Sequence, residues 1–180
     1  MTGSLIAECM LRIATALALL GFSGCAGPDA PPSSGQPSFY RNLAEGGQLD
    51  PAAAQSMISG YRANNGLGAV TLDPALMKLA EEQSRAMVSR DKLDHDVGKG
   101  FNQRIRSYDA KVAVENISAG YHTLAEAFSG WRDSPPHRAN MLNKGVTRMG
   151  IAAVYSSKSK YKVFWTLILA TPDDKRASLR

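Results

Sequence analysis

Three side chains able to do chemistry stand in separated stretches of the sequence. His95 lies between Asp94 and Asp96. Nearby carboxylates favour the charged imidazolium. That suits a pH-sensitive contact at least as well as a metal ligand, because a ligand imidazole must be neutral. A histidine exposed at a helix end and stabilised by the helix dipole explains the same residue without any site. His137 follows Ser134-Pro135-Pro136, a helix-start signal that puts it in a first turn. There the positive helix end disfavours the charged ring and helps a neutral ligand role, against the plainer reading of a surface histidine. Ser134 fits the N-cap of that helix. As a nucleophile it would need an oriented base beside it. Glu115 stands next to Asn116 in an extended segment, although both residues are poor strand formers. A carboxylate there needs partners, either a histidine pair with a metal or a structural hydrogen-bonding network. Histidine and glutamate are both zinc or other divalent-cation ligands, and a catalytic zinc takes three protein ligands with one position open. Hydrolysis at such a site usually wants a separate general base. Glu126 and Asp133 qualify by type alone.

The elements that must position these residues follow from pattern and punctuation. Asp50-Pro51 and Asp73-Pro74 each pair an N-cap with proline at the first helical position. The first helix places Ala53, Met57, Ile58 and Tyr61 on one face and closes at Asn64-Asn65-Gly66. The second carries the stripe Leu76, Leu79, Ala80 and Met87 and is expected to end near Leu93. A short helix is expected over Phe101 to Tyr108 and an extended run from Lys111 to Ile117. Thr123-Leu124-Ala125-Glu126 is a capping box, which gives Glu126 a structural role and leaves His122 exposed before it. Leu124, Phe128 and Trp131 share the face behind that box, and a further short helix runs from Ser134 through Met141. Val146 to Tyr155 and Tyr161 to Leu169 read as an antiparallel hairpin. Helices first and strands last indicate α+β layers rather than alternating βαβ units.

The chain has 180 residues, 44% hydrophobic and 21% charged, with a net charge of +5. That is a globular composition with room for one domain and accessories. The lysines and arginines are scattered, so no nucleic-acid partner is expected. Cys9 and Cys25 are the two cysteines. A domain after them holds no internal disulfide, and no cysteine-based zinc pattern exists. Residues 13–22 (IATALALLGF) are apolar, too short to span a bilayer and of signal-peptide length. Glu8 spoils the segment before this run, whereas a start at Met10 gives Met-Leu-Arg. Phe22-Ser23-Gly24-Cys25 resembles a lipobox, with phenylalanine where leucine is usual, and marks Cys25 for lipidation. Cleavage after Ala26 is the rival. The domain plan is therefore a signal peptide over 1–25, a tether rich in proline, glycine and serine over 26–48, a domain over 49–171 and a polar tail over 172–180.

Three ordered segments resemble the CAP superfamily, whose domains are also called SCP or PR-1-like. They are Leu93-Asp94-His95 with Gly100-Phe101-Asn102-Gln103-Arg104-Ile105; Val114-Glu115-Asn116-Ile117; and Trp131-Arg132-Asp133-Ser134-Pro135-Pro136-His137-Arg138-Ala139-Asn140-Met141-Leu142. Tyr61-Arg62 and Gly150 in the hairpin fit as well. Each motif is weak alone, and the ordered set is specific. The resemblance implies a three-layer α-β-α sandwich with a central antiparallel sheet. It implies a cleft holding His95, His137 and Glu115, where some members bind a divalent metal. Many members carry a second acidic residue where this chain has Ser134, so the polar tetrad is incomplete. The expectation is an exported, lipid-anchored binding or scaffold protein of the cell envelope, periplasmic, secreted or on the outer membrane. Its membrane contact would be the lipid, and its cleft would take a divalent metal, a small amphipathic ligand or an envelope protein. The alternatives are a metal-dependent hydrolase of peptides or cell-wall material and a lipid-transfer protein.

Overall fold

The two Asp-Pro pairs start the long helices as their chemistry dictates. The Asp50 carboxylate accepts from the N–H groups of Ala52 and Ala53, and α1 spans Pro51–Ala63. Asp73 does the same for Ala75 and Leu76, and α2 spans Pro74–Arg90. The structure, a computed structural model, describes residues 35–173. The signal peptide, the start at Met10 and the lipidation of Cys25 all lie outside the described residues. Between the helices a two-residue strand β1, Thr71–Leu72, forms. α2 stops before Leu93 because Asp91 turns left-handed (φ 45°), its N–H reaching back to the carbonyls of Met87 and Val88.

The remaining elements are α3 (Phe101–Ile105) running into a 3-10 turn at Arg106–Tyr108, β2 (Ala110–Ala119), α4 (Leu124–Asp133), α5 (Pro135–Met141), β3 (Arg148–Tyr155) and β4 (Val163–Pro172). The capping box of α4 is fully formed by Thr123 and Glu126. The sheet order is β1-β3-β4-β2. β4 pairs antiparallel with both β2 and β3, while β1 adds a parallel stub on β3 through Thr71↔Arg148 and Leu72↔Met149. The expected antiparallel sheet thus holds for the three long strands. β1 escaped notice because two residues carry no alternation to read.

Alternation along β4 builds the layers. Val163, Trp165, Leu167 and Leu169 pack on one side with Ile58 of α1, Ala127 and Trp131 of α4 and Met141 of α5. Ile168 and Ala170 face the other way, against Leu76, Leu79 and Ala80 of α2 and Tyr108. Phe164 joins Met87 of α2 there. Both faces of β4 are covered, which is why Val163 to Ala170 read as one unbroken buried run. The result is the α-β-α sandwich of the α+β class. Arg62, 1% exposed, ties the layers at one end. Its guanidinium donates to the carbonyls of Gly68, Met141, Asn143 and Val146, at 2.8 to 3.1 Å.

Part of the stretch expected as a tether, residues 26–48, is folded onto the domain. Ser38–Tyr40 and Leu43–Glu45 form 3-10 turns. Leu43 is 7% exposed in the core, with Phe39 and Leu49 packed against the same cluster. The Leu43 N–H donates to the His122 carbonyl at 2.9 Å, and Ser38 Oγ donates to the Asp50 carboxylate at 2.8 Å. These apolar residues were hidden beside the proline- and serine-rich stretch, and they carry the domain's start back to about Ser38.

α2 crosses β3 in close contact at Gly150. A Cβ there would lie 2.1 Å from the backbone carbon of Leu76. Because a helix backbone cannot step aside as a side chain can, Gly150→Ala is expected to destabilise the domain by about 2–3 kcal/mol. Urea unfolding monitored by tryptophan fluorescence checks this.

Candidate functional site

The site grows from two adjacent residues on β2, an edge strand of the sheet. Neighbouring residues of a strand face opposite sides. Glu115 therefore points toward the layer of α2 and α3, and Asn116 toward that of α4 and α5. The Glu115 side chain is 1% exposed. Arg104 of α3 donates from Nη2 to one carboxylate oxygen at 2.5 Å. His95 Nδ1 meets the other at 2.8 Å. A carboxylate only accepts, so Nδ1 carries the hydrogen of this bond. Arg104 also donates from Nη1 to the carbonyls of His95, at 2.8 Å, and Lys99. Gln83 of α2 donates to the Asp94 carbonyl at 2.8 Å. The loop carrying His95 is thus held from both helices of its layer.

Asn116 does the corresponding work on the other side. Its amide donates to the His137 carbonyl at 3.0 Å. Asn140 of α5 donates to Asn116 Oδ1 at 2.9 Å and to the Glu115 carbonyl at 3.1 Å. Together the asparagines clip α5 onto the free edge of β2 and bring His137 to it. Beside that edge lies a cavity of about 240 Å³ lined by Leu93, Ser118, Tyr121, Trp131, Ser134 and His137, among others. His137 and Ser134 line it, whereas His95 and Glu115 do not. Gly130 leaves room for Tyr121 in its wall, since a Cβ there would sit 2.4 Å from the phenol oxygen.

Ser134 occupies the N-cap of α5 as expected, but its side chain makes no capping bond. An N-cap oxygen takes the N–H of the second or third helical residue, and the second is Pro136, which has none. Glu126 accepts from the N–H groups of His122 and Thr123 at 2.7 and 3.0 Å. Asp133 is bound to Arg132 at 2.8 Å. Glu126 is committed to the capping box, and Asp133 lies in an exposed ion pair. Arg104, Asn140 and Tyr121 were not singled out in the sequence. Arg104 and Asn140 lie inside the family-like segments, which was the only signal for them.

The two histidines are driven apart in pKa. The hydrogen bond to Glu115 holds His95 above the ordinary histidine range, with burial working against it. Burial, followed by the charge of His95, pushes His137 below that range. A three-ligand metal set does not fit these groups. Glu115 is already shared between a guanidinium and an imidazole. No group of three or more His, Cys, Asp or Glu converges to hold a metal ion among the described residues. His95 and His137 alone fall short of the three donors a catalytic zinc takes.

The pKa directions give a pH profile. His95, raised in the fold, stabilises fully below the unfolded value of about 6.5 and loses that contribution as pH rises through its folded pKa. His137, lowered in the fold, destabilises as pH falls below about 6.5 toward its folded pKa. Their summed contribution is greatest between the two. In a proton NMR titration His95 should titrate above free histidine and His137 below it, and coincident or reversed titrations would contradict the geometry.

Comparison with known proteins agrees with this architecture. The chain is 33% identical over 100 residues to the uncharacterized protein YkwD of Bacillus subtilis, a match covering 53% of this chain and 38% of that one. Its fold resembles an extracellular SCP-domain protein of Bacillus anthracis, with a TM-score of 0.58, 23% identity and coverage of 66% of this chain and 39% of the other. It also resembles an outer surface protein of Borrelia burgdorferi, with a TM-score of 0.61, 19% identity and coverage of 70% and 98%. The chain therefore spans well under half of the two Bacillus proteins. The model of the CAP, or cysteine-rich secretory protein, family matches residues 55–169. Although no cysteine follows Cys25, the chain belongs to the CAP family.

Proposed function

We propose that this chain is an exported cell-envelope protein, anchored through a lipid on Cys25, whose CAP domain binds a small ligand or an envelope partner without turning it over. The observation that carries binding over turnover is the state of Glu115. Its side chain is 1% exposed and each of its oxygens accepts from a donor of the fold, Arg104 and His95, which leaves water little access to it. The cavity supports the reading: Leu93, Tyr121 and Trp131 give it apolar walls, with Ser134 and His137 as polar neighbours. Two buried polar atoms of its lining residues, Ser118 Oγ and Trp131 Nε1, make no hydrogen bond among the described residues. That is a state which buried polar groups rarely keep. At about 240 Å³ the cavity is smaller than the roughly 300–1,000 Å³ of drug-sized sites. Its occupant is therefore a small amphipathic molecule or one inserted part of a larger one. The apolar run and lipobox-like Cys25 support export and anchoring, and the extracellular and outer-surface descriptions of the structural neighbours support export.

A second reading, a metal-dependent hydrolase of peptides or cell-wall material, draws on His137, which burial keeps neutral, and on the carboxylate-bound His95. Histidines that hold metals commonly bond a carboxylate through the other nitrogen. Thermal unfolding with added Zn²⁺, paired with peptide and peptidoglycan hydrolysis assays on the full chain, separates the two. We expect no rise in Tm at millimolar Zn²⁺ and no turnover by the wild type. Turnover that disappears in His137→Ala, accompanied by a Tm rise with Zn²⁺, would establish the hydrolase instead.

A further inference from the structure

The two free edges of the sheet are treated differently. On β2 the Glu115 carbonyl, which points away from β4, is taken by Asn140 of α5. On β3 the partner strand stops almost at once. β1 ends at Leu72, because Asp73-Pro74 turns the chain into α2. The bonds from Thr71 N–H to the Thr147 carbonyl and from Asp73 N–H to the Met149 carbonyl show that the odd-numbered residues of β3 face outward. Past Met149, the Ile151 N–H reaches the thioether sulfur of Met77, a weak acceptor, at 3.2 Å. The Ile151 carbonyl and both backbone groups of Ala153 and Tyr155 continue that outward row. They have no hydrogen-bond partner among the described residues.

A row of unpaired backbone groups is a template for another strand. Sheets usually blunt such an edge with lysine, proline, a bulge or a covering element. Ile151-Ala152-Ala153-Val154-Tyr155 has no charge and no proline, and its pairing with β4 is regular. The edge opens into a groove of about 900 Å³ whose lining is separate from that of the histidine cavity. Leu49 and Leu72 line it, as do Met77, Lys78, Glu81 and Arg85 of α2. Glu81 and Arg85 neutralise each other at 2.6 Å, whereas Lys78 has no ion pair among the described residues.

We propose that the open edge of β3 accepts an extended peptide segment of a partner protein as an added strand, with an acidic side chain of that segment set against Lys78. The unpaired backbone selects an extended main chain over a helix or a small molecule. The small Ala152 and Ala153 leave space for the segment's side chains. The uncompensated cation selects an acid on the α2 side. Pairing along Ile151–Tyr155 occupies about 17 Å of extended chain. This surface is independent of the cleft reading, and either can fail without the other.

The test uses the full chain and a capped octapeptide of alternating valine and threonine with one central aspartate. Binding is measured by titration calorimetry, and amide exchange at Ala153 and Tyr155 by NMR. The peptide should bind and slow both amides. Ala153→Pro removes an outward N–H, a substitution that edge strands tolerate. It should weaken binding by about tenfold or more, equivalent to about 1.4 kcal/mol. Lys78→Glu should weaken it by about threefold, as a surface ion pair does. A peptide N-methylated at alternate nitrogens should not bind, which keeps the test sound should the proline variant misfold. The proposal is overturned by no binding at millimolar peptide, by equal binding of the N-methylated form, or by an Ala153→Pro variant that is folded and binds as well as wild type. Amides at Ala153 and Tyr155 that are already protected in the full chain would also overturn it, since the edge would then be covered by this chain or a second copy.

Discussion

A carboxylate placed where water hardly reaches must be met by a cation, and Glu115 is such a carboxylate. Arg104 supplies the charge, and several features of the domain follow from that pairing. The guanidinium requires α3 to lie over the end of β2. Its second arm takes the carbonyls of His95 and Lys99, which fixes the loop between α2 and α3. The other carboxylate oxygen then fixes the ring of His95 itself. Buried ion pairs are weak evidence for net stability, because desolvation offsets most of the attraction. Removing one partner alone nevertheless costs about 3–5 kcal/mol. The pair thus specifies an arrangement more than it adds strength.

One residue further along, Asn116 performs the parallel task on the opposite face with neutral groups. Two poor strand formers of β2 are therefore the residues that recruit the helical layers to one edge. Each layer contributes one histidine, one with its pKa raised on the carboxylate side and one with its pKa lowered beside the cavity. An edge strand suits this role because its outward backbone groups remain free to bond α5. The same sheet leaves its other edge bare, since Asp73-Pro74 ends β1 to begin α2. The side-chain site on β2 and the proposed backbone surface on β3 lie on opposite sides of β4 in the strand order.

The sequence made much of this legible, and what it hid has physical reasons. Caps and prolines fixed the helix starts at Pro51, Pro74, Leu124 and Pro135, because those signals are local. Three of the four residues expected in the cleft were noticed for being out of place: an imidazole among acids, a carboxylate in a strand, a histidine in a first helical turn. Their partners were harder to see. Arg104 on a short helix looks like any solvated arginine until the fold buries it. Asn140 has no local anomaly at all. β1 was too short to show a period, and the N-terminal 3-10 turns were masked by flanking prolines and serines. Pro136 removes one of the two N–H groups that the Ser134 side chain could cap, and the bond to the other, on His137, does not form.

The central claim is that Glu115 serves as a structural link to Arg104. A double-mutant cycle on unfolding free energy, using Glu115→Gln, Arg104→Met and the pair together, tests it most directly. The account predicts that the double variant is far less destabilised than the sum of the singles, with a coupling of about 2 kcal/mol or more. Additive losses would show that the two side chains do not depend on each other, and would contradict the account.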